Sequence, residues 1–182
     1  KMPGLSYSLP AWACQTGAKL RKIPTSPCFG CYAMKNNYIR YPAIKAAQYR
    51  RLDAITHPQW VEAMVAQIKR QKWFRWHDAG DLQSSEHMQK IIEVCKLTPD
   101  TKHWLPTQER QYLPKPEDVP ENLIIRLSAA KVDGTAGNAW SHSSTVVTDG
   151  SPSCMAPTQG GKCLDCRACW NKDIKNVSYG KH

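Results

Sequence analysis

The sequence predicts a single α/β domain over residues 1–182, built as an open or partial parallel βα barrel. An irregular cysteine-bearing arm precedes the barrel and a cysteine-rich segment follows it. Three observations predict this. Apolar strand-like runs alternate with stretches of helical periodicity, the pattern of βα units. One of those runs, ENLIIRLSA, is apolar on both faces, as in a strand buried on both sides. Four or five such strands are too few to close an eight-stranded barrel.

Residues 1–31 lack periodicity and are rich in Pro, Gly and Ser, so they read as the arm, ending in CFGCYA. PAIKAAQYRRLDAI follows as a helix with Pro42 in its opening turn. Thr56 is the expected N-cap of a second helix, with Pro58 just inside it. In that helix Val61, Met64, Val65 and Ile68 recur at helical spacing and form one apolar face. WFRWHDAGD reads as a strand ending in a glycine turn. Ser84 or Ser85 then caps a helix whose Met88, Ile91, Ile92 and Cys95 make an apolar stripe. KHWLPTQE is the next strand, separated from ENLIIRLSA by a Pro-rich connection with little room for helix. STVVTDG closes the series as a short strand.

Hydrophobic residues are 41% and charged residues 22%, which excludes a disordered chain. No apolar run approaches the roughly 18 residues that cross a bilayer. The first residues have no signal-peptide layout, so a cytoplasmic protein with no membrane partner is expected. The formal net charge is +10, which favours an anionic partner such as nucleic acid. Basic residues gather in KLRK (19–22), YRR (49–51) and IKRQKWFR (68–75), and Tyr38, Tyr41 and Tyr49 are available for base stacking. A solvated helix surface would look the same, and no helix-turn-helix or other docking motif is visible.

Eight cysteines in a chain with no export signal point to metal or redox chemistry rather than disulfides. Cys14, Cys28 and Cys31 are spaced C-x13-C-x2-C. Cys154, Cys163, Cys166 and Cys169 are spaced C-x8-C-x2-C-x2-C. Cys95 lies alone in the apolar stripe, where a thiol acts as a small hydrophobe. Structural zinc usually takes pairs of ligands from separate knuckles. A C-x2-C-x2-C run suits an iron–sulfur cube, one short loop reaching three irons while Cys154 supplies the fourth thiolate. Zinc remains open on spacing alone. The first group, with three thiols, fits zinc plus a fourth ligand, or a [4Fe-4S] cluster with one iron left open. A third arrangement has both chain ends sharing one cluster. Two clusters, one on four thiolates and one on three, would carry about −2 and −1, leaving an excess of roughly +7.

CYAMKNNY after the C-x2-C, then RWHDAGD, WLPTQER and NLIIRLSA, and finally KCLDCRACW with NVSYGKH, resemble the phage family named after gene product eighty-eight. The resemblance runs in order along nearly the whole chain. It implies a phage-encoded iron–sulfur protein whose partial α/β barrel is similar to radical SAM enzymes. By that resemblance Cys14, Cys28, Cys31, Cys154, Cys163, Cys166 and Cys169 are ligand candidates for one or two [4Fe-4S] clusters, and SAM is a candidate co-substrate. Radical SAM enzymes typically carry C-x3-C-x2-C in one loop; here only Cys28 and Cys31 match its second half.

Polar residues near the strand ends complete the candidate site. Ideal alternation puts Arg75 and His77 on one strand face, with Trp76 and Asp78 on the other. Asp81, after Gly80, stands where βα proteins collect ligands, and also where a helix cap would be. His77 and Asp81 are the nearest candidates to close a three-thiol cluster, although a strand histidine such as His77 is more often a core residue than a ligand. Arg126 and Ser128 occupy the next strand, and a buried Arg126 requires a partner, with Glu109 or Asp81 expected. Trp170, beside Cys169, is placed to shield a cluster from water. The functions that follow are a structural or redox-sensing cluster protein that engages nucleic acid, a radical-SAM-like enzyme, or a zinc-based nucleic-acid-binding module.

Overall fold

A computed structural model describes residues 2–35, 37–149 and 152–181. Its framework is one sheet of six parallel strands in sequential order, each paired with the next along the chain, and the sheet is open. The strands are β1 (Leu5–Ser8), β2 (Trp73–Ala79), β3 (Lys102–Thr107), β4 (Leu123–Ser128), β5 (Ser143–Val147) and β6 (Asn176–Gly180). Between β1 and β2 run α1 (Gln15–Leu20), α2 (Asn37–Arg40), α3 (Pro42–Ala54) and α4 (Trp60–Ile68); α5 (Ser85–Leu97) joins β2 to β3. Two 3-10 turns, Arg110–Tyr112 and Pro116–Asp118, are the only helical turns among the described residues between β3 and β4.

The two faces of the sheet are covered differently. Phe74, Trp76, Leu105, Leu123 and Ile125 point to one face and pack with Val61, Met64 and Ile68 of α4 and Met88, Ile91, Ile92 and Cys95 of α5. Their alternate neighbours Trp104 and Ile124 point to the other face, where the buried ring of Trp170 covers them. The β5–β6 crossover has no α-helix among its described residues. Its described residues form 3-10 turns at Ala156–Gln159 and Ala168–Trp170, and this crossover carries the C-terminal cysteines.

Most expected elements stand where their periodicity put them, and Cys95 is fully buried in the α5 stripe. Ser84 is the cap of α5, its Oγ accepting from the His87 amide at 3.0 Å. Three expectations are corrected. Helix α4 opens at Trp60 after Gln59, not after Thr56, whose hydroxyl instead donates to the Asp53 carbonyl. The arm is not wholly irregular: Leu5–Ser8 pairs with β2, and Gln15–Leu20 is helical. The segment after the last cysteine adds a sixth strand, pairing Ser143–Val147 with Asn176–Gly180. Both missed strands are short, and β1 alternates exposed Leu5 and Ser6 with buried Tyr7, too little pattern to read as a strand.

Candidate metal centre

The C-terminal ends of β1, β2 and β3 assemble the first group of thiols. After β1, the Leu9 amide donates to the Ala79 carbonyl at 2.8 Å, bringing the arm over β2. That approach requires Gly80: its φ is +80°, and a Cβ there would lie 2.5 Å from the Leu9 Cβ. A 3-10 turn, Ala11–Ala13, then presents Cys14 at the N-cap of α1. Cys14 offers no side-chain cap, so the free amides of α1 need another acceptor. Glu109, fully buried at the end of β3, supplies it. Its Oε1 accepts from Gln15 N at 3.0 Å and Thr16 N at 2.8 Å, and its Oε2 from the Thr16 hydroxyl at 2.6 Å. Cys28 donates its amide to Ser26 Oγ at 3.1 Å, and Cys31 donates its own to the Cys28 carbonyl at 3.2 Å.

These turns bring Cys14, Cys28 and Cys31 together. Burial, then the charge of Cys31, pushes the Cys28 thiol up to about 11. Burial, followed by Asp81, Cys31 and Cys28, raises Cys14 further. Gly17 keeps the space beside them open: a Cβ there would sit 3.0 Å from Cys14 Cβ and 3.9 Å from Cys28 Sγ. Asp81 belongs to this group. Burial pushes its carboxyl up to about 7, despite donation from Gln108 N at 2.8 Å, Thr107 Oγ1 at 2.6 Å and Leu82 N at 2.8 Å.

The second group lies on the sheet face opposite the helices. Cys154 donates its amide to the Ser178 carbonyl of β6 at 2.9 Å. The Cys166 amide donates to the Cys163 carbonyl at 2.9 Å, and Leu164 between them has φ +45°, a left-handed conformation rare for a branched side chain. Cys169 Sγ is 3.3 Å from the Tyr179 hydroxyl. The four thiols share one environment: burial and then Cys154 and Cys166 raise Cys163, while burial, opposed by the Tyr179 hydrogen bond and reinforced by repulsion from Cys154, pushes Cys169 up to about 11. A cavity of about 270 Å³ lies beside them, lined by Cys154, Ala156, Pro157, Gly161, Tyr179 and Gly180.

Arg126 organises this loop. It is fully buried, and its guanidinium donates to the carbonyls of Cys169 (3.1 Å), Ala168 (2.9 Å), Asn171 (2.9 Å) and Ile174 (2.9 Å). Its partners are therefore loop carbonyls and not Glu109 or Asp81, because its strand face looks away from the rim where those carboxylates sit. Ser128, one pleat further on, shares a 3.1 Å hydrogen bond with Ser144 Oγ. Trp170 locks the end of the loop by donating from Nε1 to the Phe74 carbonyl at 2.9 Å.

His77 is not at either group. The register of β1 against β2 shifts between Tyr7↔Trp76 and Ser8↔Ala79, so His77 and Asp78 are extra residues in a bulge, with His77 at φ +55°. The bulge turns His77 toward the helices, its ring centroid 5.3 Å from that of His87 and 6.3 Å from that of Tyr7. The alternation expected for WFRWHDA is thereby overturned: Trp76 and His77 are both in the core, and Asp78 stays near Arg75. Arg75 lies between the two thiol groups. Its Cζ is 4.6 Å from the Trp104 ring centroid, it interacts with Tyr32 beside Cys31, and it lies within electrostatic reach of Tyr179 and Cys169. Asp78 accepts from Ser8 Oγ at 2.5 Å and Tyr38 at 3.0 Å. Neither Arg75 nor Arg126 has a carboxylate in ion-pair contact among the described residues. Spacing alone gave no sign of Arg75 or Tyr179 as neighbours of a thiol, since the bulge and the crossover create both contacts.

The sequence model of a phage protein family described as gene product 88 matches residues 1–172. The chain belongs to the gene product 88 family. The match covers all eight cysteines of this family member, together with Asp81, Glu109 and Arg126, and stops short of β6. No curated protein and no solved structure matches this gene product 88 chain. Among the described residues, no helix is long and apolar enough to cross a membrane, and no three Cys, His, Asp or Glu side chains are grouped to hold a single metal ion.

Proposed function

We propose that this gene product 88 protein is a [4Fe-4S] cluster protein with two separate sites. Cys154, Cys163, Cys166 and Cys169 would hold a closed cluster, and Cys14, Cys28 and Cys31 a cluster with one iron free of protein thiolate. The observation that carries this reading is the division of seven cysteines into a group of four and a group of three, each held by its own backbone scaffold, with Cys95 left in the core. The donor sets fit the group: soft thiolates are what iron–sulfur clusters take, and four thiolates gathered in one loop favour cations nearby. Arg75 and Arg126 supply two, close to Cys169 and with no carboxylate in ion-pair contact among the described residues. Bound clusters would supply one-electron chemistry. The chain itself orients thiolates through Arg126 and Glu109, excludes water with Trp170 and Tyr179, and places Asp81 beside the three-thiol site.

The test is anaerobic purification followed by iron, sulfide and zinc analysis. The expected result is brown protein with broad absorbance near ~400 nm and about eight iron and eight sulfide per chain. Colourless protein carrying stoichiometric zinc overturns the reading.

A second, enzymatic reading rests on the same three-thiol site, because Arg75, Asp78 and Tyr32 place a polar surface beside it. Under that reading, SAM added to the reduced protein shifts the EPR signal. An unchanged signal leaves the clusters structural or redox-sensing.

A further inference from the structure

The positive charge of the chain is concentrated at one end. Residues 1–52 contain nine of the 25 basic residues and none of the 15 acidic ones, while residues 53–182 carry sixteen basic against fifteen acidic. All but one unit of the formal net charge of +10 therefore belongs to the arm and α1–α3. Six of those basic side chains are exposed: Lys19, Lys22, Lys35, Arg40, Lys45 and Arg50.

The same stretch holds the exposed aromatics. Trp12, Phe29, Tyr32, Tyr41 and Tyr49 are the large aromatic residues on the exposed surface among the described residues, and all five precede residue 53. Helix α3 presents the densest part. Gln48 is its one buried residue, so the helix gives little of itself to a core. Tyr41, at its N-cap, followed by Lys45 and Tyr49, forms an i, i+4, i+8 stripe with successive residues about 6 Å apart along the axis. Trp12 widens the stripe: Lys45 Nζ is 5.4 Å from its ring centroid, and the Tyr49 ring is 6.5 Å away.

We infer that this face binds single-stranded nucleic acid, with α3 and Trp12 as a stacking platform inside a basic track. Charge complementarity selects a polyanion, since no acidic side chain in the stretch neutralises the track. The exposed rings select unpaired bases, because a duplex hides the base faces on which aromatics stack. An anionic lipid surface fits less well. The apolar residues of α3 are spread around the helix and interrupted by Lys45, Arg50 and Arg51, so it lacks the continuous face an interfacial helix inserts.

The experiment titrates the full anaerobically purified chain against a labelled oligothymidylate, a duplex of the same length, and vesicles containing phosphatidylglycerol. The oligothymidylate is expected to bind more tightly than the duplex, and the vesicles not at all. Log K should fall with log salt by about 0.7 per phosphate contact. Tyr41→Ala and Tyr49→Ala are each expected to weaken binding about five- to 150-fold with the salt slope unchanged. Lys45→Ala should lower that slope by about 0.7, and Lys96→Ala, on exposed α5 surface, should change nothing. Circular dichroism melts of each variant report folding. Preference for the duplex, capture by the vesicles, or no binding of the oligothymidylate at low salt overturns the inference. None of these residues is a cysteine, so iron content on the same samples tests the cluster reading separately.

Discussion

Arg126 Nε donates to the carbonyl of Cys169 at 3.1 Å, so a side chain from the middle of the sheet holds the backbone of a thiol-bearing loop forty-three residues away. Its other nitrogens reach Ala168, Asn171 and Ile174. One cation thus satisfies the inward-facing carbonyls of the whole turn. Arg126→Met removes all of these donors and is expected to cost at least about 1–3 kcal/mol in a denaturant melt, the cost of leaving a buried acceptor unpaired. Limited proteolysis should cut residues 163–175 earlier than any site in α5. An unchanged cleavage pattern would show that the loop does not depend on Arg126.

Glu109 plays the matching part at the other group. Glu109→Ala strips the acceptor from Gln15 N, Thr16 N and the Thr16 hydroxyl. It is expected to destabilise by about 1–2 kcal/mol, as loss of a helix cap does. It should also lower iron by about four per chain and leave the C-terminal site filled. Loss of all iron would mean that the two sites do not form independently.

Cys95 and Cys163 separate core from ligand. Cys95→Ser places a hydroxyl in the apolar stripe of α5 and is expected to cost about 1–3 kcal/mol without changing iron content. Cys163→Ser should lose about four irons. Equal iron loss in both variants would place Cys95 among the ligands.

The buried histidines set a stability limit on the acid side. Burial lowers His87 and His103 to about 4, and His77 well below its usual value. The geometry of His103 agrees: Thr98 gives its hydroxyl proton to Val94, so His103 Nε2 donates to Thr98, and a second proton would sit on Nδ1, which is buried without a partner. Below about pH 6.5 the unfolded chain takes up protons that the native chain refuses, so stability falls as pH drops from about 6.5 to about 4. Asp81, pushed up to about 7, acts in the opposite direction over the same range, one group against three. Chemical melts across this window should show net loss of stability on acidification. His103→Gln should make that limb shallower by about 1.4 kcal/mol per pH unit, one proton's worth. A profile flat in the unmodified protein would mean that these rings titrate normally.

How far the site could be read from sequence depended on whether a residue's role was periodic or positional. The stripe of Met88, Ile91, Ile92 and Cys95 repeats at helical spacing, and that repeat alone separated Cys95 from the other cysteines. The run LIIRLS needed no partner to be recognised as a buried strand. His77 and Arg126 defeated the same reasoning for different reasons. A bulge is a two-residue irregularity that pattern cannot register, yet it moved His77 from the site to the core and left Arg75 between the thiol groups. Arg126 sits on the expected strand, but its partners are carbonyls, and a backbone acceptor leaves no mark in sequence. Glu109 was visible as a strand-end carboxylate, expected opposite Arg126, without the helix it serves, because α1 is only six residues long.

The crossover from β5 to β6 has a consequence for the life of the protein. In an ordinary βα unit a helix secures the return of the chain before the next strand docks. Here the described part of that return is 3-10 turns that carry the thiols, so β6 is held by its pairing with β5 and by that loop, with no packed α-helix between them among the described residues. With the proposed cluster bound there, its loss in oxygen is expected to release β6 first, and the freed edge of β5 becomes a template for another chain. Exposure to air is then expected to appear as irreversible precipitation, read as light scattering that does not reverse when oxygen is removed.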